Sequence, residues 1–322
     1  MRKLILKRVL FSFPLLLGIT FITFLFIQIA PGDFLDTLRL NPQVSPQIID
    51  LYKKKFHLDK PLIVQYFFWL KSILKLEWGY SFTYKAPVIK VISSRALNTL
   101  ILSLSTIIFS WLVVFPLGIL SVIYRKKFMD RVIGFFSYIW ISFPTFLLAI
   151  FLLYLATFVK FLPLGGMRSL NFDQLTKWGK FFDLLRHLII PTLVLSLGTV
   201  AYLVRILRAN LLEILSSPFI KALGARGLSK RRILIHGIKN SLNPMITIFG
   251  YQLSGLLSGA ALTEIICGWP GLGQVILEAT RSQDLYLVMA SILISGLLLI
   301  VGNLIADILL AWVDPRIRYE RF

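Results

Sequence analysis

Long apolar runs separated by short charged segments set the rhythm of the chain. A basic start, Met1 to Arg8, precedes an uncharged run from Val9 to Ala30. Further apolar runs cover 97–123, 132–158, 187–205, 241–267 and 286–312. A run of about 20 apolar residues crosses hydrocarbon as a helix. The alternating ten-residue strands of a membrane barrel do not occur in the pattern. The expectation is an all-α integral membrane protein with six transmembrane helices. The first is read as retained, because its apolar part is longer than that of a signal peptide, roughly 7–15 residues. In addition, Gln28-Ile-Ala30 is a poor cleavage site. Pro116 predicts a kink in the second span, and the third is read as one span around Pro144.

Residues 31–97 interrupt this rhythm, giving three regions: 1–30, 31–97 and a core of 98–322. Within 31–97, Ser45-Pro46 starts a short helix expected to end near His57. Pro61 starts another in which Leu62, Ile63, Tyr66, Phe67, Leu70, Ile73 and Leu74 share a face. The aromatic cluster Tyr66, Phe67, Phe68, Trp69 and Trp78 suits a helix lying in the membrane interface.

Composition agrees with the pattern: 57% of the 322 residues are hydrophobic, 16% are charged, and the mean hydropathy is +0.79. A net charge of +20 would point to nucleic acid in a soluble chain. Here position matters more than total. Four Lys/Arg precede the first span, four lie at 125–131, eight at 205–239 and three after 312, against six in the other short segments. Basic short segments stay inside, so both termini are expected in the cytoplasm and nucleic acid is not a partner. The single cysteine, Cys267, excludes an intrachain disulfide and is read as packing.

The polar segment 205–239 holds eight Lys/Arg against one acid, Glu213. Each Lys or Arg costs roughly 2.5–3.5 kcal/mol at a bilayer centre, so the segment must lie in water. Ser217 followed by Pro218 is a helix start, with a hydroxyl cap and Pro at the first helical position. Phe219, Ala222, Leu223 and Arg226 then fall on one side, Gly227 ends the helix, and Ser229 can cap a second short helix, Lys230 to Gly237. Ala222, Gly224, Ala225 and Gly227 make a small-residue surface that another backbone can approach closely. The plainer reading is an ordinary basic loop, and charge alone does not separate the two.

The motif does. Lys221-Ala222-Leu223-x-x-x-Gly227, followed by Asn240-Ser-Leu-Asn-Pro244, resembles the cytoplasmic "EAA" loop of ABC importer permeases of the dipeptide/oligopeptide branch. Lys221 stands where that motif has Glu, and Leu223 where it has its second Ala. Ala30-Pro-Gly-Asp33, Glu77-Trp-Gly-Tyr-Ser-Phe82, Gly268-Trp-Pro-Gly-Leu-Gly273 and Asp314-Pro-Arg-Ile-Arg-Tyr319 are similar to that family in the same order. The resemblance implies the type I importer permease fold in a bacterial inner membrane. It also implies a coupling helix at 217–227 seated in a groove of an ATPase subunit. The implied complex has a second, related permease, two ATPase subunits carrying ATP and Mg, and a periplasmic or lipid-anchored binding protein. Residues 31–97 are expected to face that binding protein. The implied cargo is di- or oligopeptides, with nickel and glutathione as neighbouring branches.

Few residues suggest chemistry. Glu264 near the outer end of the fifth span, with Gln252, is a pathway candidate, and Asp307 lies in the sixth; intramembrane carboxylates usually face protein or water. Gly255-x-x-x-Gly259 is read as a helix-packing face. The histidines are far apart, no metal spacing or Walker glycine loop occurs, and the chain itself is expected to catalyse nothing and to bind no cofactor. A self-sufficient secondary transporter is the rival reading, but it would need internal repeats that are not seen.

Overall fold

In the computed structural model, the described residues are 2–29, 39, 45, 47, 49, 51, 54, 59–258 and 260–313. The Ser45–His57 helix, the 30–33 motif, Gly259 and the 314–319 motif lie largely or wholly outside them. Described residues form eleven α-helices and one small hairpin. These are α1 (Arg2–Ile29), α2 (Leu62–Leu74), β1 (Tyr80–Ser81), β2 (Ala86–Pro87), α3 (Val88–Ile123), α4 (Phe128–Ser142), α5 (Thr145–Ala156), α6 (Lys177–Ser216), α7 (Pro218–Ala225), α8 (Lys230–Ser258), α9 (Ala261–Ile266), α10 (Leu272–Arg281) and α11 (Leu285–Val313).

Among the described residues four helices are long and apolar enough to cross a membrane, within Leu10–Ile29, Val88–Ile123, Lys177–Ser216 and Leu285–Leu309; the pair α4 and α5 makes a fifth if counted as one span. That pair departs from the single span expected at 132–158. Proline cannot donate to the helical ladder and pushes the residue before it out of the α region. Phe143 is accordingly extended (φ −81°, ψ 122°), and α5 leaves α4 at 108°. The expected span at 241–267 is divided as well: α8 ends at Ser258 and α9 starts at Ala261. Pro116 stays inside the continuous helix α3.

The chain folds as two compact units, and α3 and α11 each contribute to both. In the unit of residues 2–99 and 270–300, α2 lies on α1. Its buried face is Gln65, Tyr66 and Trp69, while Phe67 and Leu74 are exposed. Leu62 and Ile63 of the apolar face are exposed as well, and the seat is polar in part: Tyr66 bonds to Thr20 (2.9 Å) and to the Leu17 carbonyl (3.0 Å), and Gln28 donates to Gln65.

The hairpin pairs Tyr80 with Pro87 and Ser81 with Ala86. It is pinned by Asp284, a wholly buried carboxylate that accepts from Ser81 Oγ (2.7 Å), the Thr83 N–H (3.2 Å) and the Leu287 N–H at the start of α11 (3.3 Å). In the turn, Tyr84 donates to the Glu278 carboxylate, with Arg95 over its ring. Burial, helped by that bond, pushes the Tyr84 phenol up to about 12. Beneath lies a core of Val88, Val91, Ile92, Leu272, Val275 and Leu287.

In the unit of residues 100–269 and 301–322, α6 is the spine, packed by α4, α5, α7, α8 and α9. Val200, Leu203, Val204 and Leu207 of α6 meet Val114, Ile133 and Met245. Ile190 and Val194 meet Ala149, Ala156 and Cys267, so the cysteine is indeed packing. Trp269 is fully buried with Leu102, Met167 and Leu188. The loop behind it is closely fitted. Gly166 N–H donates to the Cys267 carbonyl (2.9 Å), and Gly268, at φ +63°, sits where a Cβ would lie 3.2 Å from the Gly166 nitrogen.

Replacing Asp284 with Ala leaves two buried donors without an acceptor, at about 1–3 kcal/mol for each such group. The expected outcome is a clearly lower midpoint of thermal unfolding for the purified protein in detergent, with Ser81→Ala giving a smaller drop. An unchanged Asp284→Ala midpoint would show that the latch carries no weight.

Candidate functional site

The segment 217–227 folds locally as its residues dictate. Ser217 is extended (φ −65°, ψ 153°), and its hydroxyl accepts from the Ile220 N–H at 3.4 Å. Pro218 is the first helical residue, where its missing N–H costs nothing. The other end is a Schellman closure. Here the Leu228 N–H bonds to the Leu223 carbonyl (3.3 Å) and the Gly227 N–H to the Gly224 carbonyl (2.9 Å). That closure needs a residue at positive φ, which glycine adopts without strain. Gly227 supplies it at φ +82°. The eight-residue α7 therefore satisfies both ends itself, without help from a neighbour.

Its placement divides the expected site residues into two groups. Ile220 is buried and Leu223 half-buried, so these two seat the helix on α6 and α8. Pro218, Phe219, Lys221, Ala222, Gly224, Ala225, Arg226 and Gly227 are exposed. Leu223 thus leaves the side on which Phe219, Ala222 and Arg226 were expected beside it, because the apolar seat needs it. Phe219 is 53% exposed, a large aromatic on a surface otherwise made of small and basic residues. No second short helix follows; α8 runs from Lys230 straight into the apolar region as one 29-residue helix. Gly237 lets α8 approach α6, since a Cβ there would lie 3.0 Å from Leu215 and 3.1 Å from Leu211.

The pathway candidates are not brought together with α7. Glu264 is wholly buried in α9. Gln252 lies half-buried in α8, its Oε1 shielded from solvent and without a hydrogen bond among the described residues. Asp307 is half-buried in α11, Gly255 is exposed in α8 with nothing within 4 Å of a Cβ built on it, and its expected partner Gly259 is outside the described residues. Among the described residues no three His, Cys, Asp or Glu side chains gather as a metal site. His187 is buried and its Nδ1 lies 2.8 Å from the Asp183 carbonyl, so its role is local.

One pair escaped the sequence reading. Arg208 of α6 clamps Asp130 of α4 with two bonds of 2.8 Å, while the Lys126 N–H donates to the same carboxylate. Such a forked guanidinium–carboxylate pair is among the stronger polar contacts a protein makes. The available signal was that Asp130 is the one acid in a basic turn.

Comparison with known proteins places these features. Residues 114–319 match the family described as the binding-protein-dependent transport system inner membrane component, and 1–104 match the N-terminal part of such membrane components. The chain is 37% identical to the oligopeptide transport system permease protein AppB of Bacillus subtilis strain 168, over 99% of this chain and all of that one. It is 30% identical to the glutathione transport system permease protein GsiC of Escherichia coli K12, with the same coverage. A chain from the MetNI methionine ABC transporter, solved in inward-facing conformations, shares the fold with a TM-score of 0.56 at 16% identity, over 71% of this chain and 98% of that one. A self-closed helix seated on the spine of a multi-pass helical protein, together with matches that run nearly end to end, leads to one conclusion: the chain belongs to the family of binding-protein-dependent transport system inner membrane components, the permeases of ABC importers.

Proposed function

We propose that this chain is the permease of an importer for di- or oligopeptides, driven by ATP hydrolysis on separate subunits through α7. The likeness over the full chain to an oligopeptide permease supports the cargo class. Glutathione, itself a small peptide, is the second reading, resting on the 30% identity to the glutathione permease. The complex would hold a second, related permease, two ATPase subunits that bind ATP and Mg, and a substrate-binding protein facing residues 31–97. The chain itself would be non-catalytic, with six spans and both termini in the cytoplasm.

The single observation behind the coupling role is the division of α7 into an apolar seat and an exposed face. Ile220 and Leu223 fasten it to α6 and α8, so a displacement of α7 is passed to both helices. Phe219 and the small residues Ala222, Gly224 and Ala225 offer a partner an anchor beside an open approach. An ATPase that grips this face differently in its two nucleotide states supplies the differential contact free energy that shifts the pathway between outward- and inward-facing forms. Lys221 and Arg226 on the same face favour an acidic partner groove.

Two measurements on the assembled complex test this. Gly227→Leu puts a side chain at φ +82° and into the approach surface. L residues are strained in that left-handed region. ATPase activity stimulated by the loaded binding protein should fall to the unstimulated rate while membrane insertion is unchanged; normal stimulation would remove the coupling role. Phe219→Ala should weaken capture of the ATPase subunits by about 2 kcal/mol or more, the scale of an aromatic anchor. Equal co-purification of wild-type and variant complexes would place the ATPase elsewhere. For cargo, purified binding protein should take up short peptides; retention of glutathione alone would favour the second reading.

A further inference from the structure

Away from the coupling face, α4 and α6 enclose a cleft of about 610 Å³. Small-molecule sites span roughly 300 to 1000 Å³, so its size is that of a binding site. Asp130, Gly134 and Tyr138 line one side at successive turns of α4. Tyr202, Arg205 and Ile206 line the other along one stripe of α6, with Arg208. The cleft is amphipathic: Gly134, Tyr138, Tyr202 and Ile206 give it an apolar wall, and Arg205 and Arg208 of α6 bring two guanidiniums to it.

The two arginines differ in state. Arg208 is neutralised by its paired bonds to Asp130. Arg205 is exposed and lies 4.5 Å over the Tyr138 ring, with no carboxylate bonded to it among the described residues. Its positive charge is oriented by the ring but left for an anion. Arg125, Lys126, Lys127 and Arg131 are exposed in and beside the turn that leads into α4. The cleft is thus lined by two arginines and one acid, Asp130, which is already engaged by Arg208, and four more cations lie in the adjoining turn.

Depth decides the source of the anion. Both helices change from apolar to basic at this level: α4 after the 125–131 turn, α6 at Arg205, and the Asp130–Arg208 pair ties the two levels together. Phosphates of a bilayer lie at such a boundary, and basic pockets between spans bind acidic lipid headgroups. Phe135, Tyr138 and Tyr202, 62%, 60% and 53% exposed, flank the cleft with the apolar surface that acyl chains would cover. We infer that this cleft is a binding site for one anionic phospholipid, its phosphate held by Arg205 and its chains lying on Tyr138 and Tyr202.

The test is native mass spectrometry of the full-length protein, titrated in detergent with phosphatidylglycerol or phosphatidylcholine. A retained one-to-one phosphatidylglycerol adduct is expected, favoured over phosphatidylcholine. Arg205→Gln should weaken it about fivefold, the weight of one arginine at an acidic membrane surface. Gly134→Leu should block it by filling the cleft, because nothing lies within 4 Å of a Cβ at 134 and folding should be undisturbed. Both variants are checked for an unchanged elution volume and helix content. Equal retention of the two lipids, or an adduct indifferent to both substitutions, overturns the inference. Displacement of the adduct by inorganic phosphate at equal concentration overturns the lipid assignment in favour of a soluble anion. Disulfide capture of a Gly134→Cys variant by the second permease in the assembled complex would make the cleft a protein interface instead.

Discussion

An α-helix resists bending because each bend breaks backbone hydrogen bonds, and hydrocarbon offers no replacement for them. On this depends the use the protein makes of α6, a single helix of 40 residues. Its length is about 60 Å, twice the roughly 30 Å of a bilayer's hydrocarbon. It carries continuous structure from the packed interior to Ser217, where α7 begins. The helices α4, α5, α7, α8 and α9 of the same unit pack on that rod. The short helix α7 is therefore joined directly to one long continuous element.

Prolines show how packing governs which rods stay whole. Pro191 lies within α6 between Ile190 and Val194, both buried against α5 and its neighbours. Pro116 lies in α3 near Val114 and Gly118, and Gly118 is so close to Leu207 that a Cβ would meet its side chain at 2.7 Å. In both places the helix runs on past the proline, packed on both sides, although a backbone bond is lost. Around Pro144, by contrast, Ile141, Phe143, Phe146 and Leu147 are all exposed, and the helix turns by 108°.

Three charged groups of the structure have distinct jobs. Asp284 joins a hairpin to the start of α11, reaching Ser81 across 203 positions of sequence with hydrogen bonds to a buried carboxylate. The Asp130–Arg208 clamp fixes the relation of α4 to α6 at the boundary between apolar and basic surface. Arg205, resting on an aromatic ring and with no carboxylate bonded to it among the described residues, keeps its charge available. The difference is burial and partner geometry, not residue type.

Much of this was legible in the residues. Apolar runs announced a multi-pass helical protein, the Ser217-Pro218 start and Gly227 end delimited α7, and the spaced motifs pointed to the importer permeases, because these signals are local or depend only on composition. Tertiary structure alone decided the rest. That Ile220 and Leu223 turn inward, that α2 buries Gln65 and Tyr66 in place of Phe67, and that the run at 132–158 breaks at Pro144 all depend on which surfaces meet. The pairing of Asp130 with Arg208 and of Ser81 with Asp284 likewise joins residues far apart in the chain. A sequence reports what each segment can do by itself; only the packed neighbours determine which face it buries and which partner its charge meets.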